Sequence, residues 1–72
     1  MTTTPDFDAK HKAYRRLIEA YLDTGTAHLA MVDLMSHEVS KRHHRTMAEL
    51  AFKRAEEVEA SLKIWIEKKF NV

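Results

Sequence analysis

Apolar residues recur every three or four positions along almost the whole chain, the spacing of α-helices that each bury one side. The second half shows this most plainly. From Thr46 to Phe70 (TMAELAFKRAEEVEASLKIWIEKKF), Met47, Ala51, Val58, Leu62 and Trp65 fall within an arc of about 60° at 100° per residue. Leu50, Ala55 and Ile66 flank them. The opposite side carries Glu49, Lys53 and Glu57, then Glu59, Lys63 and Glu67, opposite charges four apart that suit a solvated helix face. Thr46 with Glu49 three residues on reads as a capping box, which predicts a helix start there. In the first half, Thr4 before Pro5, with Asp6 and Asp8 in the following turn, predicts another start. Phe7, Tyr14, Ile18, Tyr21, Gly25, Val32, Ser36, Val39 and His43 then hold a single phase, with Leu17, Leu22, Leu29 and Met35 alongside.

These patterns predict an all-α fold: a flexible leader over 1–4, then one helical domain over 5–72. The domain reads as a helical hairpin of two long helices, about 5–41 and 46–70. The reversal is expected at Lys41-Arg42-His43-His44-Arg45, an entirely polar run followed directly by the capping box. Two other partitions remain open. Asp23-Thr24-Gly25-Thr26 is the weakest run of helix formers, so Gly25 is either a kink or a true turn that makes three helices. A single very long second helix is the other. Against a turn, Gly25 lies within the apolar stripe, where a missing side chain lets a neighbour come close.

Composition narrows the class. One Gly and one Pro, with 44% hydrophobic and 32% charged residues, fit a folded helical chain rather than a disordered or sheet-rich one. No cysteine means no disulfide and no thiolate metal site. The net charge of +1 gives no global pull toward nucleic acid or anionic lipid. No stretch approaches the roughly 18 apolar residues of a membrane span, and the first residues lack a signal-peptide core. The expectation is a cytoplasmic protein without membrane contact.

At 72 residues a single core barely offsets chain entropy. Ala27 to Met35 is apolar nearly all round, and one partner helix covers only one side of it. This predicts a homodimer, an antiparallel four-helix bundle. Its core and dimer interface would draw on Tyr14, Ile18, Tyr21, Gly25, Leu29, Val32 and Met35 of the first helix, and Val58, Leu62 and Trp65 of the second. Met31 and Leu34 would otherwise dock a different protein.

Little catalytic chemistry can be assembled. The five histidines lack the spacing of a zinc site, since Lys41 stands where His37-Glu38 would need a second histidine. No nucleophile with a base, no phosphate-cradling glycine loop and no paired catalytic carboxylates are present. The expectation is no enzyme, no metal and no cofactor. The densest positive segment is Lys41, Arg42, His43, His44 and Arg45, which would grip phosphates of RNA or DNA in the alternative reading. In shape the hairpin dimer resembles the Rop-type plasmid copy-number regulators, small helical-hairpin dimers that bind RNA, and that resemblance implies this alternative.

The preferred expectation is a small interaction module that binds and modulates a larger protein, inhibiting or anti-activating it. In kind the chain is similar to small regulators encoded by phages and mobile elements. Met31 and Leu34, or Phe52, would be its apolar anchors, and Arg15, Arg16, Arg42 and Arg45 its steering rim.

Overall fold

In the computed structural model, which describes residues 5–70 and the side chains of 7–69, the chain is an antiparallel helical hairpin. Helix α1 spans Pro5–Leu34 and α2 spans Glu38–Phe70. Together they form a rod with extents of 55 × 18 × 11 Å. The leader over 1–4 and the Phe70 side chain lie outside the described residues.

The reversal falls at Met35-Ser36-His37, ahead of the expected 41–45. The amide of Met35 donates the last bond of α1 to the Met31 carbonyl at 3.0 Å, and the Lys41 amide donates the first of α2 to the His37 carbonyl at 3.0 Å. Polarity is a poor stop signal when the polar residues are Lys and Arg, which are good helix formers. Ser36 and His37 are weaker formers, and Glu38 puts a carboxylate at the positive start of α2. The Thr46 and Glu49 capping box is therefore interior to α2, both residues exposed. Val39 and His43 belong to α2, so the phase they share with α1 carries no packing. Val39 is 78% exposed.

No turn interrupts α1 at Gly25, which removes the three-helix partition. The threonines beside it are accommodated locally: the Thr24 hydroxyl donates to the Ala20 carbonyl at 2.8 Å and the Thr26 hydroxyl to that of Leu22 at 2.9 Å. Gly25 is buried beneath the ring of Phe52, and a β-carbon there would sit 2.7 Å from the ring's far edge. Phe52 thus has a seat within its own hairpin, contrary to its expected role as an unpartnered anchor. Gly25→Ala should accordingly be neutral or destabilising by up to about 1 kcal/mol in the native chain, despite a helix-propensity gain of similar size. In a Phe52→Ala background the same change should stabilise, and paired urea midpoints of the four variants read this reversal of sign.

Between the helices lies one seam. On α1 it is spaced alternately four and three residues apart from Phe7 to Met35, the repeat that keeps two helices in contact over many turns. Phe7 stacks on Trp65, and His28 meets His44 three heptads further along both helices, so the register does not slip between them. Buried Ile18 packs with Ala55 and Leu62, against which Tyr14, Tyr21, Val58, Trp65 and Ile66 close. On α2 the buried line runs through Ala48, Ala51, Ala55 and Leu62, with Ala48 only 1% exposed. From Ala48 to Ala55 the side chains that α2 presents to the seam are small. The line missed by hydrophobicity alone is Ala48, because close packing selects the smallest apolar residue. Leu29, expected in the core, stands outside the seam.

Candidate functional site

A helix turns about 100° per residue, so residues beside a seam divide onto two flanks. One flank of the hairpin holds Leu22 and Leu29 of α1, a heptad apart and 43% and 46% exposed, with Phe52 leaning over from α2. Arg15 on α1 and Arg42 and Arg45 on α2 fall on this same flank, and all three are exposed.

The other flank is built differently. On α1 the positions Ala13, Leu17, Ala20 and Thr24, then Ala27, Met31 and Leu34, repeat the four-and-three spacing of the seam without a charged residue among them. All are exposed except Met31, which is half-buried, and Leu34 reaches 76%. Across a shallow groove from Tyr21 and Thr24 stand Met47, Leu50, Ala51 and Arg54 of α2. A continuation toward the open end is lined by Lys10, Ala13, Tyr14 and Leu17.

The residues expected to form one partner site are therefore separated. Phe52, Arg15, Arg42 and Arg45 lie on the first flank and Met31 and Leu34 on the second. Arg16 projects from the outer side of α1, near Lys12 and Leu17. Of the residues expected in the core or dimer interface, all but Leu29 lie in or against the seam inside one hairpin. On α1 the signal for the split was present in the spacing: Arg15 falls on one side of the Phe7-to-Met35 repeat, and Met31 and Leu34 fall on the other.

The basic segment is also divided. Lys41 and His44 turn toward the seam and are half-buried, leaving Arg42, His43 and Arg45 exposed. His44 Nδ1 lies 2.9 Å from His28 Nδ1, with ring centroids 5.2 Å apart, and the His43 ring meets His44 edge-on at 5.3 Å. A bond between two Nδ1 atoms needs an N–H on one ring and a bare nitrogen on the other, so one imidazole donates and the other accepts. Among the described residues no group of three or more His, Cys, Asp or Glu could hold a metal ion.

Removing one ring of this pair strands the other. His44→Ala should cost about 1–2 kcal/mol, whereas the double change His28→Leu with His44→Leu should come within about 1 kcal/mol of the native chain or exceed it. A double-mutant cycle on urea midpoints measures the coupling, and simple additivity would mean the contact contributes nothing.

The open end carries an aromatic cluster. Phe7 and Trp65 stack with centroids 4.7 Å apart, Tyr14 approaches Trp65 at 5.7 Å, and Lys10 Nζ stands 5.8 Å from the Trp65 ring. Its lining of Phe7, Ala9, Lys10, Ala13, Trp65 and Lys69 carries no carboxylate, thiol or hydroxyl. Among the described residues no helix is long and apolar enough to cross a membrane. No protein-family model, curated protein or solved structure is significantly similar to this chain.

Proposed function

We propose that the chain is a non-enzymatic interaction module that binds a larger protein through the Leu22 and Leu29 flank and so blocks that protein's own contacts. The observation that carries this reading is the pairing of two half-exposed leucines, one heptad apart, with exposed Arg15, Arg42 and Arg45 around them. A partner helix with apolar residues at matching spacing, carrying carboxylates opposite the arginines and cations opposite Glu49, Glu56 and Glu59 of the same flank, fits such a surface. The leucines supply desolvation, and the arginines supply steering and register. Occupying a helix-binding surface on a regulator or enzyme would inhibit or anti-activate it.

RNA or DNA binding is the second reading, and it now rests on Arg42, His43 and Arg45 rather than on five residues. The two readings separate in one comparison. The tagged native chain and its Leu29→Glu variant, both checked for helicity, are used to capture protein from host lysate with and without nuclease. Loss of a discrete captured protein on Leu29→Glu, with nuclease having no effect, is the expected result. Capture that survives Leu29→Glu but vanishes with nuclease would replace this reading with nucleic-acid binding.

A further inference from the structure

We infer that the second flank is a self-association surface, on which α1 packs antiparallel against α1 of a second copy about a two-fold axis at Thr24. This face is separate from the Leu22 and Leu29 flank, so the inference stands independently of what docks there.

Three observations carry it. First, the hairpin exposes 5870 Å², against about 4,600 Å² for a compact monomer of this mass. The surplus, about 1,300 Å², belongs to a rod only two helices across and exceeds the roughly 800 Å² that each partner buries in a stable protein interface. Second, the surface is self-complementary in spacing. Reversed about Thr24, the repeat maps onto itself to within one residue: Thr24 meets Thr24 and Leu17 meets Met31 of the other copy, while in the intervening layers Ala20 comes beside Ala27 and Ala13 beside Leu34, each offset by one residue. An isologous dimer requires such pairing of each position with its reverse. The layers follow the same alternation that α1 already uses against α2. Third, the centre can be dried. The Thr24 hydroxyl is bonded to the Ala20 carbonyl at 2.8 Å, so burying it strands no donor. Met47 and Leu50, across the groove from Thr24, would lie beside the same axis and meet their own copies, with Arg54 at the edge of the groove.

The loops of the two hairpins then point in opposite directions. The alternative two-fold, along the rod, would set Thr24 against α2 of the other copy instead.

The test uses the absence of native cysteine. Thr24→Cys leaves an exposed position of the single hairpin altered and places one thiol per chain at the axis, within disulfide reach of its copy. Mild oxidation should convert most of it to a covalent dimer that keeps its helicity, while Thr26→Cys, on the other side of α1, should crosslink at least tenfold more slowly. Leu17→Glu and Met31→Lys should each weaken association by tenfold or more, and combining both in one chain should restore at least part of it. These side chains are four turns apart within a chain, so only contact between copies gives that rescue. Equal crosslinking of the two cysteine variants, or absence of rescue, overturns the arrangement, and a native chain that is monomeric at 100 μM overturns self-association itself.

Discussion

Ile18→Ala should remove about 2–4 kcal/mol of stability, most of what a domain this small possesses. Ile18 is the large buried apolar side chain of α1, seated among Ala55 and Leu62 with Tyr14 and Tyr21 on either side. Ala55 opposite is too small to fill the space, and Leu62, Tyr14 and Tyr21 already have seats of their own in the seam, so the cavity term adds to the lost transfer energy. The change in urea midpoint measures the effect. Leu22→Ala, at a half-exposed position on the flank of the same helix, is the control and should lose less than about 1 kcal/mol. Similar losses at both positions would mean that the seam is not where stability resides.

Trp65→Ala should cost about 2–3 kcal/mol and loosen the open end before the rest. The ring is held by Phe7 on its face, by Tyr14 beside it and by the Lys10 ammonium, contacts that tie the start of α1 to the end of α2. No loop joins the helices there, so those side chains carry the closure. Hydrogen exchange should show lost protection over the first turns of α1 and the last turns of α2, with the His28 and His44 end unchanged. Trp65 is the sole tryptophan, so in the native chain its fluorescence reports on this end, and Phe7→Ala should shift the emission to the red. A uniform loss of protection along both helices would show instead that the hairpin opens only as a whole.

Much of the architecture was legible in the sequence. Few turn residues and a sustained helical period specify two helices, and Gly25 within the stripe announced a close approach. The position of the reversal was not legible, because a charged run shares its polarity with a turn but not a turn's weak helix propensity. Lys41 and Arg42 extend a helix readily, while the unremarkable Met35-Ser36-His37 admits the bend. Ala48 escaped notice because hydrophobic periodicity ranks residues by size, whereas two closely packed helices reserve their nearest approach for small ones. Phe52 looked unpartnered because its seat depends on an absence, the missing side chain of Gly25 on the other helix. The contact between His28 and His44 joins residues on different helices, and it follows only once the loop position sets the register.

The apolar surface around Met31 and Leu34 was expected to exceed what one hairpin can cover, and Leu34 indeed remains 76% exposed. The residues expected on a single partner surface lie on opposite flanks of the seam. α1 has one stripe for its own partner helix and a second from Ala13 to Leu34, similarly spaced and free of charge, that is exposed at every position but Met31.

The most direct measurement is the mass of the native chain in solution by sedimentation equilibrium. Two hairpins sharing the Thr24 face give twice the 8.4 kDa of the chain at tens of micromolar. A single 8.4 kDa species at 100 μM, fully helical and unfolding cooperatively, would show that one hairpin tolerates both flanks in water, and the case for a face built to be covered would end there.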